Sequence, residues 1–210
     1  NLVWCAVLPS ALVLLYRDAD SVPSGLSKGL HLSLFWMLLL VAVGELWWFV
    51  NSLPWGMQAW RFGLPMALGS VAIILVLAAI RRTYWPFRAW PVLYGAPGLL
   101  PLAAPLFIAL IMANLLDGRV LDLPYLPLMN PLEEGALFAF FGLWRYFRFV
   151  ETHYAHQTPK DWRLWLLVVP GFWWLNGALL RVLANYGEVA WAVESLWASR
   201  LIQTSFALFW

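Results

Sequence analysis

The sequence predicts an all-α fold: a polytopic transmembrane helical bundle of about seven spans, forming one domain over residues 1–210. Three observations predict it. Hydrophobic residues make up 63% of the chain and charged residues only 11%, with a mean hydropathy of +0.73. A soluble domain carries roughly 45–50% apolar and about 25% charged residues, so no soluble fold of this size could hide so much apolar surface. Apolar stretches recur along the whole chain, most of them near the roughly 17–25 residues that a helix needs to cross the hydrocarbon core. Finally, the basic residues collect in alternate loops.

The expected spans lie near 2–16, 30–50, 63–80, 97–116, 132–149, 164–184 and 196–210. The first is short, lacks a charged flank before it, and does not read as a signal peptide. The fourth contains Pro97, Gly98, Pro101 and Pro105. A kink there frees backbone carbonyls that must find partners in neighbouring helices. The fifth opens on Asn130-Pro131, a good N-cap followed by a residue suited to the first helical position. The last reaches Phe209-Trp210 without leaving the apolar stretch. Both ends therefore read as cut, and the chain as a fragment of a longer multi-span protein.

Loops one, three and five, with the adjoining end of span five, carry Arg17, Lys28, Arg81, Arg82, Arg88, Arg145, Arg148, Lys160 and Arg163. The other side carries only Arg61, Arg119, Arg181 and Arg200. Basic loops stay in the cytoplasm, so loops one, three and five are expected there. The net charge of +2 is too small to indicate a nucleic-acid partner. The single cysteine, Cys5, excludes an intramolecular disulfide and a Cys-based metal cluster.

Three segments stand out: Leu123-Pro124-Tyr125-Leu126-Pro127-Leu128-Met129-Asn130-Pro131-Leu132, Trp174-Leu175-Asn176-Gly177-Ala178-Leu179-Leu180-Arg181, and the tail Ser199–Trp210 with Gln203 and Ser205. Together with the Arg81–Pro86 stretch, and in this order, they resemble a bacterial family of predicted multi-span membrane proteins, labelled as a domain of unknown function, family 2339. The resemblance covers most of residues 81–210. It implies a longer protein with further spans in a bacterial inner membrane, and it brings no activity with it. The chain departs from the expected pattern at Glu133-Glu134, where Asp-Leu would follow the Asn-Pro-Leu.

Several residues are candidates for ligand binding. Glu133 falls at the third position of its helix, where a capping box would tie it back to Asn130. Glu133 and Glu134 also meet the positive end of the helix dipole. The alternative use of the two is an acidic site for a cation or sugar hydroxyls. Glu45 and Arg181 lie about 15 and 17 residues into two spans that run outward, at a common depth of roughly 22–26 Å from the cytoplasmic edge. An intramembrane charge pairs or lines a wet cavity. A Glu45–Arg181 pair in an outward-open pocket is therefore one expectation, and separate snorkelling to the interface is the other. Gly177, Arg181 and Asn185 share a helix face, while Asn176 lies on another and can bond across helices, as can Asn114.

The outer edge is rich in tryptophan: Trp47, Trp48, Trp55, Trp60, Trp191 and Trp197. An interfacial aromatic belt or a stacking surface for a sugar would both use them. His153 and His156 lie beside Glu151 without a third ligand in view, so no metal is expected, and no cofactor. No glycine-rich phosphate loop, nucleophile elbow or zinc-binding His-Glu helix is present in the sequence.

Three functions remain. A binding or transport module would hold an outer-leaflet ligand near Glu45 and Arg181. A membrane-embedded enzyme for a lipid-linked or envelope glycan would need a carboxylate such as Glu133, Glu134, Asp117 or Asp122. A scaffold would bind other membrane subunits. Intramembrane charge without a recognisable catalytic set favours the first, with membrane lipids as partners and a lipid or glycan as ligand.

Overall fold

A computed structural model describes residues 2–17, 23–53, 58–82, 85–120, 125–157 and 159–210. Trp55, Asp122 and Pro124 lie outside these segments. The described residues form α1 (Leu2–Arg17), α2 (Ser24–Ser52), α3 (Gln58–Arg81), α4 (Pro91–Gly95), α5 (Leu100–Met112), α6 (Pro131–His153), α7 (Trp162–Tyr186), α8 (Val193–Ala198) and α9 (Arg200–Phe209). The fold is an all-helical bundle, as its composition requires.

Four of the seven expected spans are long and apolar enough to cross a membrane: 24–52, 58–81, the broken segment 91–115, and 162–186. The count of seven is thus too high, for three separate reasons. Helix α1 has only 16 residues. Helix α6 has 23 residues, but Glu133, Glu134, Arg145, Arg148 and Glu151 lie along it. The stretch 196–210 breaks at Ser199, whose backbone is extended and whose hydroxyl caps the start of α9.

Helix α6 nevertheless runs at the centre of the bundle. Its most extensive partner is α3. On α3 the buried residues Ala59, Gly63, Met66, Ser70, Ile73, Leu77 and Ile80 alternate four and three apart, the spacing of a left-handed helix pair. On α6 Gly135, Ala139 and Gly142 answer them with small side chains. A Cβ on Gly135 would overlap the backbone of Gly63, and one on Gly142 would meet the backbone of Ser70 at 2.9 Å. The constant offset shows that the two helices run parallel, almost backbone to backbone, as small residues allow inside membranes.

Helix α7 runs against α6. Phe140 meets Trp174 edge-on at 5.8 Å, and Phe147 meets Trp162 at 5.3 Å. Helices α2 and α5 run with α7: His31 Nδ1 lies 2.8 Å from the Tyr94 hydroxyl at one end, and Ala113 meets Arg181 at the other. Successive long helices from α2 to α7 therefore alternate in direction.

The proline-rich fourth span breaks as expected. Helix α4 gives way at Ala96 to a 3-10 turn over Pro97–Leu99 before α5 begins. Its freed carbonyls are satisfied by neighbours: Tyr146 donates to Ala96 O at 3.1 Å and the Trp36 indole to Pro97 O at 3.2 Å. That is the partnering that low-dielectric surroundings demand of a broken helix.

Candidate functional site

The end of the bundle where α5 stops, α6 starts and α7 nears its close holds a buried ion pair. Arg181 and Glu133 are both 0% exposed. Arg181 Nε donates to Glu133 Oε1 at 2.8 Å, and Nη1 donates to the carbonyl of Ala113 at 3.2 Å. The Tyr125 hydroxyl donates to the same Glu133 oxygen at 2.6 Å. Removing two charges from water costs several kcal/mol each, so a pair of this kind is tolerated only with close geometry and added hydrogen bonds. Glu133 Oε2 and Arg181 Nη2, the second arm of the fork, find no partner among the described residues.

This arrangement corrects two expectations. The carboxylate partner of Arg181 is Glu133, not Glu45. Helix α2, which carries the half-buried Glu45, packs on α1, α3, α4 and α5 and has no extensive interface with α7. Glu133 in turn does not close a capping box. Asn130 caps alone, its Oδ1 accepting from Leu132 N at 2.9 Å, because the Glu133 side chain turns inward to Arg181. Glu134, one residue on, points outward and is exposed.

The surrounding loop is tied to the pair from several directions. Asn130 Nδ2 donates to Gly118 O. Gly118 sits at φ +73°, and a Cβ there would stand 2.9 Å from the Tyr125 ring and 3.1 Å from Arg181 Cδ. Only glycine meets both the backbone and the space requirement. Asn185 Nδ2 donates to Asp117 O at 3.3 Å and to Arg181 O at 2.9 Å, and the Tyr186 hydroxyl donates to Tyr125 O at 3.0 Å.

Burial pushes the Tyr125 phenol well above its ordinary value, and the adjacent Glu133 hydrogen bond and charge push the same way. Its folded pKa is thus raised above its unfolded one. The stability it contributes is fully present below about pH 10 and is lost as pH rises beyond that. Tyr125→Phe is expected to lower stability by about 1.5–3 kcal/mol at neutral pH, the range for a hydrogen bond to a charged group. The difference in thermal midpoint between the two proteins should narrow above about pH 10. A difference that stays constant with pH would show that folding does not raise the phenol's pKa.

Next to the ion pair lies an open cleft of about 490 Å³ between α7 and the α8–α9 segment. Its polar wall is Asn114 and Asn176, and its aromatic wall is Trp173 and Trp191. Ala113, Asn114 and Leu115 form one 3-10 turn that connects the two features. Ala113 O accepts from Arg181, Asn114 Nδ2 donates to Trp173 O, and Leu115 O accepts from the Trp191 indole at 3.1 Å. Arg181 thus positions the turn that shapes the cleft. Gly177 makes room for it, since a Cβ there would strike the Asn114 amide. Asn176 donates to Phe172 O and accepts from the Trp210 indole, each at 2.8 Å. Asn114 Oδ1 is buried and has no partner among the described residues.

A second cleft of about 450 Å³ adjoins the first and shares Leu180, Val193, Leu196 and Phe206 with it. It continues toward Trp197, Ile202 and Gln203. Of the six predicted ligand residues, Arg181, Glu133 and Asn185 meet around the ion pair, and Asn176 lines the cleft. Glu45 and Glu134 belong to neither. Tyr125, Gly118 and Trp173 were missed by sequence reasoning. Tyr125 could have been found by asking which hydroxyl the proline-stiffened loop brings to the start of α6. Among the described residues, no three His, Cys, Asp or Glu side chains converge on a common point.

The profile of one family, described as Predicted membrane protein (DUF2339), matches residues 1–210. No curated protein and no solved structure matches the chain.

Proposed function

Since the chain belongs to this family of predicted membrane proteins, we propose that it is a binding module for a membrane amphiphile, seated in the cleft between α7 and the α8–α9 segment. One observation carries the reading. The two adjoining clefts grade from an end with Asn114 and Asn176 in its wall to a more apolar end at Trp197 and Ile202, where Gln203 is the one polar side chain among the described lining residues. That gradient matches a lipid's head and chain, and ligand sites in general are mostly apolar clefts with a few placed polar groups. Read by the bias of basic residues, this end of the bundle would face the outer side of an inner membrane, and the ligand would come from the outer leaflet. Arg181 and Glu133 serve it indirectly, by fixing the 113–115 turn that forms the polar wall.

Native mass spectrometry of the intact protein, extracted with its own lipids, tests the reading. We expect a retained lipid, and its loss in Leu196→Trp, which fills the cleft from α8 without removing a side-chain hydrogen bond. A bare wild-type protein, or a lipid retained equally by Leu196→Trp, overturns it.

A further inference from the structure

The lining of the cleft also specifies the head group. This inference rests on the amphiphile reading above and goes beyond it: we propose that the ligand is a neutral, polyhydroxylated lipid, such as a glycosylated one, rather than an anionic phospholipid. The buried Asn114 Oδ1 is an acceptor without a partner among the described residues, and Asn114 lines the cleft. An unfilled buried acceptor calls for a donor, which a head-group hydroxyl supplies and an ionised phosphate oxygen, an acceptor only, does not. The Asn114 amide nitrogen gives one of its two N–H groups to Trp173 O, and the other, being neutral, offers an anion no counter-charge.

Charge points the same way. None of the described residues lining the two clefts is Lys, Arg, Asp or Glu. Arg181 is wholly buried, bound to Glu133 through Nε and to Ala113 O through Nη1, and its unpartnered Nη2 lines neither cleft; the exposed Arg200 is likewise outside both linings. A phosphate would therefore lose its hydration without gaining a counter-charge, which is costly. A sugar ring, by contrast, finds indole rings at Trp173 and Trp191, whose N–H groups are satisfied by Ile111 O and Leu115 O. Their ring surfaces, not their polar atoms, are what they can offer to a ligand.

The test uses two probes with one tail: dodecyl maltoside and dodecyl phosphate. Each is titrated into the intact protein, held in a polyoxyethylene detergent and observed by native mass spectrometry. The maltoside is expected to bind at least about tenfold more tightly than the phosphate, and Asn114→Leu to weaken the maltoside by about tenfold, the effect of one lost hydrogen bond. Leu196→Trp should abolish maltoside binding even if Asn114→Leu does not fold. Equal binding of the two probes, or tighter binding of the phosphate, overturns the head-group assignment while leaving the amphiphile reading intact. Binding of neither probe overturns both. Maltoside binding that survives Leu196→Trp places the sugar outside the cleft and overturns the assignment.

Discussion

Arg181→Ala is expected to cost about 3–5 kcal/mol of folding stability, because it leaves the Glu133 carboxylate buried and uncompensated. Glu133 is 0% exposed and, among the described residues, takes its charged hydrogen bond from Arg181 Nε and a neutral one from the Tyr125 hydroxyl. Replacing both partners at once, as in Glu133→Gln with Arg181→Met, should recover most of the loss, since no isolated charge then remains. Unfolding in mixed micelles, monitored for the wild type, both single variants and the double variant, gives the coupling energy directly. A double variant as unstable as the sum of the singles would mean that the pair does not act as a unit. The same cycle run on Glu45 and Arg181 should give a coupling within about 0.5 kcal/mol of zero, as for sites that share no contact.

The second large effect is expected in the α3–α6 seam. Gly135→Val places a branched side chain where the backbone of Gly63 already runs, and a backbone cannot yield as a side-chain tip can. Overpacking of a well-filled core costs about 1–3 kcal/mol when side chains can shift. Here two helices must separate along a seam that continues to Gly142 and Ser70, so the loss should exceed about 3 kcal/mol. Gly44→Ala is the matched control. A Cβ at Gly44 meets nothing within 4 Å, and alanine favours a helix by up to about 1 kcal/mol. The yield of monodisperse protein in detergent, and its thermal midpoint, should collapse for Gly135→Val and stay level or rise for Gly44→Ala. A mild effect at Gly135 would show that the helices pack less closely than the glycine register implies.

The amino-acid sequence by itself determined the class of fold and the fate of its most irregular segment. Apolar residues at 63% with charge at 11% leave helices as the economical way to satisfy every backbone group in an apolar medium. Pro97, Gly98, Pro101 and Pro105 likewise dictated a break, and its carbonyls went to the neighbours that such a break requires. The Asn130 cap was legible because a helix start is local chemistry. Membership in the family of predicted membrane proteins was also carried by residues adjacent in sequence.

Only the tertiary structure decided which charge meets which. Depth along a span is a one-dimensional coordinate; it matched Arg181 with Glu45, while Glu133 read as a helix cap. The choice between them depended on which helices touch, and α7 packs on α6 rather than on α2. Helix α6 was similarly misread as one more apolar span, because its charges lie along a sequence whose other face is buried against α3. The cleft was hidden for the same reason. Asn114, Trp173, Asn176 and Trp191 come from three separate segments, and each has an ordinary local explanation as a helix packer or an interfacial aromatic. A cavity is the volume that packing leaves unfilled, so it exists only after the helices have been placed.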